Sequence, residues 1–174
     1  MRVGEGLAYL LEEPKPLLAF RLLRLLERSR VPCLCVTRIG PPAAARVRIG
    51  LASSWVWWLS EQPGRDHHSA KAIAGLAKKI EEFVDEHEGR GAVLLDGLEY
   101  IIQNNGFDAT LLFVEHLIEF IMTRRASFLL PVSPKALEGI QLARLERDLV
   151  VPDVAAWTAE LDRREWSERL DRPR

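Results

Sequence analysis

One apolar segment of the sequence ends in carboxylates whose spacing could serve metal-dependent phosphate chemistry. The run at residues 91–95 is followed by Asp96, and Glu99 comes three residues later. At the carboxyl end of a parallel strand, an aspartate can hold Mg²⁺ and a second carboxylate can orient an attacking water. This is the form of a Walker B segment. An aspartate that only caps a turn gives the same pattern, so both interpretations stay open on this segment alone.

The phosphate-binding loop that such chemistry needs is missing from its expected place. It should lie between the first strand and the first helix, where residues 12–16 read Glu-Glu-Pro-Lys-Pro. A working loop needs glycines whose N–H groups converge on phosphate, followed by Lys and Ser or Thr. Here there is no glycine, two prolines lack N–H groups, and Glu12 and Glu13 would repel a triphosphate. The sequence therefore predicts no ordinary ATP hydrolysis and no cofactor.

Two further polar positions are candidates for binding a ligand or partner. Arg38 ends a predicted core strand, where it could bind an anion or form an internal ion pair with Asp96 or Glu99. We favour the ion pair. Asn104 is the other candidate, but it precedes Asn105 and Gly106, and this pattern is typical of a turn.

Tryptophans supply the remaining candidates for partner contact. Strand alternation places Trp58 on the face opposite Trp55 and Trp57, so the three need not all be buried. Trp157 and Trp166 lie in a charged tail. An exposed tryptophan would indicate a protein interface, whereas core packing is the simpler expectation.

Histidine and cysteine give no sign of a metal site. Cys33 and Cys35 are the two cysteines and lie in one apolar run, which favours buried, unpaired thiols. His67 and His68 have no partner at a ligand spacing and are expected in a surface loop. We therefore predict no bound metal.

Length and charge limit the function classes. The chain has 174 residues and a formal net charge of −1, which suits one domain and gives no general attraction for nucleic acid or anionic membrane. No apolar run approaches the ~20 residues that span a bilayer. A cytoplasmic protein is expected. The scarcity of Asn and Gln is typical of a protein from a hot environment.

Strand-like and helical segments alternate along the chain and must position these side chains. The strand at residues 92–95 is apolar on both faces, as in the middle of a parallel sheet covered by helices. Other strands are expected at residues 7–11, 31–37 and 127–131, with shorter β-like pieces at residues 46–49 and 55–59 and an edge strand at residues 149–151.

The helices follow from apolar stripes and caps. One follows Pro16 and carries a solvated row of Arg21, Arg24 and Arg28. Another is capped by Ser69, and a third begins at Ser133-Pro134 and runs to about residue 147. The boundaries expected are an α/β domain at residues 1–152 and a charged, helical tail at residues 153–174, either docked on the domain or free as an amphipathic arm.

The helix at about residues 108–123 is apolar around most of its circumference. One buried face would not need so many apolar positions. We favour packing between the sheet and neighbouring helices, and the alternative is a contact with another subunit. That alternative motivates the hypothesis of a homodimer.

Several motifs in order resemble the family called domain of unknown function 835. They lie at residues 36–38 with Pro41, 58–60, 96–102, 104–107, 129–134 and 145–149. The family is largely archaeal, often accompanies signalling domains, and is similar to RecA-type and KaiC-type ATPases without the phosphate loop. The resemblance implies that fold and leaves the activity open.

The sequence predicts an α/β three-layer sandwich with a mostly parallel central sheet, similar to P-loop nucleotide-binding folds but without Walker A. We expect a non-enzymatic regulatory or scaffold domain that binds a protein partner or itself. The first alternative is a nucleotide-binding protein or weak NTPase that uses the strand-end crevice. The second is a nucleic-acid-binding regulator that uses the arginine row.

Overall fold

A six-stranded, entirely parallel sheet forms the centre of the molecule in the computed structural model, which describes residues 3–170. The strands are β1 (Leu7–Glu12), β2 (Cys33–Thr37), β3 (Trp55–Leu59), β4 (His67–His68), β5 (Arg90–Leu95) and β6 (Arg125–Val132). Their order across the sheet is β1-β6-β5-β2-β3-β4. Beyond β1, a single parallel bridge joins Tyr9 to Val150, so the predicted edge strand at residues 149–151 is reduced to one residue pair.

Helices cover both faces of this sheet. They are α1 (Leu17–Arg28), α2 (Pro42–Ile49), α3 (Ile73–Glu86), α4 (Leu98–Asn105), α5 (Phe107–Met122), α6 (Gly139–Glu146) and α7 (Val154–Leu170), with a 3-10 turn at Pro134–Ala136. Helices α1, α2 and α7 share one apolar core with the sheet, and α3 to α6 share the other. The predicted three-layer α/β architecture is confirmed.

The two-sided strand β5 lies inside the sheet between β6 and β2. Ala92 and Leu94 face the layer of α1, α2 and α7, whereas Val93 and Leu95 face the layer of α3 to α6. All four are fully buried. Because side chains alternate between the two faces of a strand, β5 contributes to both apolar cores. This placement confirms the central strand predicted from its unbroken apolar run.

The connections leave a crevice where β2 and β5 end. The chain leaves β2 toward α2 on one face of the sheet and leaves β5 toward α4 on the opposite face. Because these strands are neighbours, the two departing segments diverge above their carboxyl ends. Such a switch point is where open α/β sheets bind ligands.

Helix α5 is packed on several sides within the chain itself. It contacts α3, α4, β1 and β6, and its apolar side chains are shared between these neighbours. The favoured interpretation of its apolar circumference is therefore correct. Leu112 and Met122 remain exposed, at 67% and 64%.

Helix α7 is docked on the domain through its described side chains. Leu161 is only 2% exposed, and the Trp157 ring lies 5.6 Å from the Tyr9 ring. Arg21 of α1 reaches Asp162 at 2.7 Å and Glu165 at 3.3 Å. The arginine row predicted to face solvent is thus partly covered by α7.

Three local predictions are wrong. Residues 46–49 form the end of α2 and not a β-like piece. Pro42 at the first helical position and the three alanines that follow it favour the start of a helix. The alternation of polar and apolar residues at 46–49 had indicated a strand instead. Ser69 does not cap α3, which begins four residues later. Ser133 precedes only the 3-10 turn, while α6 has its own capping box of Glu138 and Gln141.

Within residues 3–170, no helix combines the length and the apolar character needed to cross a membrane.

Candidate functional site

Four of the seven candidate residues predicted from sequence meet at the carboxyl end of the sheet. Asp96 follows β5, Arg38 follows β2, Glu99 lies in the first turn of α4, and Trp58 lies near the end of β3. Parallel strands bring their carboxyl ends to one edge of the sheet, which is why residues so distant in sequence converge here.

Asp96 is held by the neighbouring strand end. The Thr37 hydroxyl donates to its Oδ2 at 2.6 Å, and the same hydroxyl oxygen accepts from the Ile39 N–H at 3.0 Å. Burial raises the pKa of Asp96, the Thr37 hydrogen bond opposes this rise, and the negative charge of Glu99 adds to it. Asp96 is therefore a partly desolvated carboxylate tied into the structure of the crevice.

Arg38 does not form the ion pair favoured from the sequence. Among the described residues, its guanidinium lies 3.7 Å from the centre of the Tyr100 ring and donates to the carbonyl of Leu59. No carboxylate oxygen of Asp96 or Glu99 lies within ion-pair distance in this part of the chain. A cation–π contact took the place of the pair because α4, which the sequence did not predict, carries Tyr100 beneath the guanidinium.

The lack of a side chain at Gly97 leaves space for the side chain of Arg38. The φ of Gly97 is +131°, and a Cβ there would lie 2.8 Å from Arg38 Cγ and 3.0 Å from Leu59 Cδ1. Only glycine combines this conformation with this approach. The Asp-Gly sequence after β5 is thus a steric requirement of the crevice wall.

Trp58 positions the backbone beside Arg38. Its Nε1 donates to the Arg38 carbonyl at 3.2 Å. Its indole packs so closely on Gly40 that a Cβ at that position would lie 2.1 Å from the ring. Trp58 therefore acts as a support for the loop after β2 and is only half-buried in doing so.

Glu99 and Asn104 have partners inside the fold. Glu99 Oε1 accepts from the Ser133 N–H at 2.9 Å and so ties α4 to the end of β6. Asn104 Nδ2 donates to the Tyr100 carbonyl at 2.8 Å. Gly106, with φ of +81°, then separates α4 from α5, as the turn pattern indicated.

Glu13 is the residue of this site whose role the sequence did not reveal. Its two carboxylate oxygens accept from the N–H groups of Leu18 at 2.8 Å and Ala19 at 3.0 Å, in the first turn of α1. Its side chain is turned inward, and the residue is 6% exposed. A helix N-terminus after the first strand is where nucleotide-binding folds of this type hold a phosphate, so the carboxylate lies where an anion would.

The surroundings of Glu13 are acidic. Burial raises the pKa of Glu13, the N–H groups of α1 lower it, and the charge of Asp96 raises it again. Pro14 and Pro16 flank the only cation of this loop, Lys15, which is exposed. The signal available in the sequence was a glutamate placed directly after a buried strand and four residues before a helix.

The remaining candidates lie elsewhere. Trp157 packs against Tyr9 on the face of the sheet opposite α4, and Trp166 is 64% exposed on α7. His67 and His68 form β4 in place of the expected surface loop. The His67 ring meets the Trp58 ring edge-on, and the His68 ring packs at a tilt against Trp57. Among residues 3–170, no group of His, Cys, Asp and Glu could hold a metal ion.

The cysteines are buried and free, as predicted. Burial raises the pKa of Cys33 to about 12, and the charge of Glu27 contributes to this rise. Burial also raises the pKa of Cys35. Thiols of this kind are unreactive at neutral pH.

Solved structures similar to this chain have a RecA-like fold. The flagellar accessory protein FlaH from Methanocaldococcus jannaschii matches with a TM-score of 0.54 and 15% identity, covering 84% of this chain and 70% of FlaH. A KaiC-like protein from the hyperthermophilic archaeon Pyrococcus horikoshii OT3 matches with a TM-score of 0.54 and 12% identity, covering 80% of this chain and 70% of that protein. At such identities the likeness establishes the fold alone, and the predicted RecA-like class is confirmed.

At the level of sequence, one family model matches. Its description reads "Protein of unknown function (DUF835)", and it covers residues 13–149, which includes the whole crevice and ends before α7. No curated protein of known annotation matches the sequence.

Proposed function

Because this chain belongs to the family described as Protein of unknown function (DUF835), which names no reaction, we propose from its geometry that it is a non-enzymatic binding domain. In this proposal a RecA-like fold has its phosphate position occupied by its own carboxylate and serves protein association in a regulatory assembly. One observation carries the proposal: Glu13 satisfies the N–H groups of Leu18 and Ala19 that a nucleotide phosphate would need.

Displacing Glu13 would be costly. A phosphate would have to expel a buried carboxylate from two N–H donors, and an unsatisfied buried group costs about 1–3 kcal/mol or more when charged. The incoming charge would then face Asp96, whose negative charge already raises the pKa of Glu13. Two negative charges close together repel each other strongly in a partly desolvated site.

The association surface that we propose for a second copy lies between α3 and α5. There the exposed Leu112 adjoins a hollow of about 410 Å³. Small side chains form much of the hollow, namely Ala74, Ala77 and Ala109. In a two-fold dimer, Leu112 of each copy would fill the hollow of the other. The lining carries both signs of charge, Lys78 and Glu81, which within the chain already contact Glu82 and His116 respectively.

A calorimetric titration tests the nucleotide part of the proposal. The purified chain would be titrated with ATP and GTP in the presence of Mg²⁺, with Asp96→Ala as the matched variant. We expect no binding heat from either protein at millimolar nucleotide, because Glu13 occupies the anion position.

Nucleotide binding that disappears in Asp96→Ala would contradict the proposal. It would favour the second candidate, a nucleotide-binding protein or weak NTPase. The observation on which that candidate rests is the exposed Arg38 guanidinium at the mouth of a RecA-like crevice.

A further inference from the structure

A groove of about 620 Å³ runs along the outer surface of α1. The loop after β1 closes one end of the groove. The end of α2, with Arg48 and Ile49, lines one part of its wall, and the first turns of α7, with Val154 and Thr158, line another. The groove is separate from the strand-end crevice except that Glu13 borders both.

Exposed and half-buried apolar side chains line part of the groove. Leu17 lines it with 65% of its surface exposed, and Phe20 and Val154 are only half-buried. Leu17, Phe20 and Arg24 stand at positions i, i+3 and i+7, which form one stripe along a helix. This stripe is about 10 Å long at 1.5 Å per residue, enough for roughly two turns of a partner helix.

The lining charges that remain without an acidic partner are positive. Lys15 and Arg48 are exposed and form no ion pair within residues 3–170, and Arg24 donates only to the Ile49 carbonyl at 3.2 Å. The one carboxylate in the lining, Glu13, points into the α1 N-terminus. The fourth cation, Arg21, is already neutralised by Asp162 and Glu165.

We propose that this groove binds an acidic amphipathic helix of a partner protein. The apolar side chains of that helix would cover Leu17 and Phe20, and carboxylates on its flanks would pair with Lys15, Arg24 and Arg48. This inference rests on the proposed function as a protein-binding domain and names the chemistry of the partner.

The apolar side chains of the groove argue against the other occupants of a basic surface. A nucleic-acid backbone would leave Leu17 and Phe20 uncovered, since phosphate contacts need cations without an apolar strip between them. A second copy docked on this groove through its own groove would bring the same three cations against these, and like charges across an interface are unfavourable. A partner helix with one apolar face, flanked on both sides by carboxylates, would cover the apolar side chains and also pair with the cations.

Fluorescence anisotropy with designed peptides tests the inference. The probe is a labelled peptide of about 16 residues with leucines at i, i+3, i+4 and i+7, glutamates flanking the leucine stripe and alanines elsewhere to favour the helix. Its control has the same leucines with lysines in place of the glutamates. We expect the acidic peptide to bind the full chain, more weakly as salt rises, and the basic peptide not to bind.

Variants then locate the binding. Arg48→Glu and Leu17→Asp should each weaken the acidic peptide about tenfold or more, since 1.4 kcal/mol corresponds to a factor of ten. The matched control is Arg163→Glu, an exposed position of α7 outside the groove, which should leave the affinity unchanged. Thermal unfolding of each variant checks that the fold is retained.

Several outcomes would overturn the inference. They are equal affinity for both peptides, binding insensitive to Arg48→Glu and Leu17→Asp, or no binding at all. Preferential binding of a short DNA duplex or of anionic phospholipid vesicles through the same residues would reassign the groove to that ligand. The nucleotide titration tests the proposed function separately. If neither the peptide nor a nucleotide binds, the proposal for the groove is rejected and the proposed function is retained.

Discussion

At the scale of single residues, the decisive feature of the crevice is a carboxylate in the place of an anion. Glu13 accepts from Leu18 and Ala19 with both oxygens, although burial and, to a smaller extent, the charge of Asp96 raise its pKa. Glu12, its neighbour in sequence, lies instead beside Glu146, and burial together with that second carboxyl raises the pKa of Glu12. Burial thus raises the pKa of both glutamates, but only Glu13 has the N–H groups of α1 as hydrogen-bond partners.

Replacement of Glu13 should reveal this role. In Glu13→Gln the side chain keeps its size but replaces one acceptor oxygen with an NH₂ donor, so a buried N–H of α1 loses its partner. We expect the free energy of unfolding to fall by about 1–3 kcal/mol, measured by urea denaturation.

Glu12→Gln is the matched control. It removes the repulsion with Glu146 and should leave stability unchanged or slightly higher. An equal loss in both variants would show that Glu13 has no special role at the N-terminus of α1.

At the scale of elements, one carboxylate on α1 organises the connection into β3. Glu27 Oε1 accepts from the N–H groups of Ser53 at 2.8 Å and Ser54 at 2.6 Å, and Oε2 accepts from Ala52 at 3.0 Å. Burial alone would raise the pKa of Glu27, but these bonds and the Ser54 hydroxyl outweigh it and lower the pKa to about 2. The turn after α2 is thereby fixed to the last turn of α1.

This arrangement predicts an acid-labile contribution to stability. Because the folded-state pKa is depressed, the contribution is complete above the ordinary value of 4.5 and is lost as the pH falls from there toward about 2. Glu27→Gln should therefore be less stable than the wild type at pH 7, by about 1–2 kcal/mol, and nearly equal to it near pH 2.

Chemical denaturation of both proteins across this pH range measures the effect. Glu82→Gln serves as the control, because Glu82 is an exposed helical residue whose only ion pair within residues 3–170, with Lys78, spans 3.8 Å. A gap between wild type and Glu27→Gln that does not change with pH would contradict the assignment.

At the scale of the whole molecule, the question is what covers the hollow beside Leu112. The sheet and neighbouring helices already bury most of α5, so the hollow between α3 and α5 is a small surface and not an exposed core. The self-association that we propose at this hollow would be two-fold, so it would close as a dimer and not extend into a chain of copies.

Light scattering after size exclusion measures the association. At high micromolar concentration we expect a mass about twice the 19.8 kDa of one chain, and Leu112→Glu should return the protein to that monomer mass. Ile140→Glu changes another exposed apolar side chain, on α6 and outside the hollow, and should leave the dimer intact. A monomer in the unmodified protein would rule out the self-association surface.

Strong local patterns made several elements predictable. The unbroken apolar run of β5 and the stripes of α1 and α3 can be recognised without knowing any neighbour. The helices α2 and α4 were not recognised. Each has only eight residues, so neither gives a stripe long enough to distinguish from an alternating or loop pattern. Because the sequence did not predict α4, it also did not identify Tyr100 as the partner of Arg38.

The sequence by itself determined the fold class, because strand-like and helical segments alternate along the whole chain and several motifs stand in the order of one family. It also determined the burial of both cysteines and the lack of a glycine-rich phosphate loop, because each of these depends on residue types within one short segment. Only the tertiary structure decided which groups meet. It turned Glu13 inward onto α1, laid Arg38 on Tyr100 and paired Arg21 with α7. Those contacts join segments separated by a bend or by many residues, and their geometry depends on how the layers pack, which no local pattern encodes.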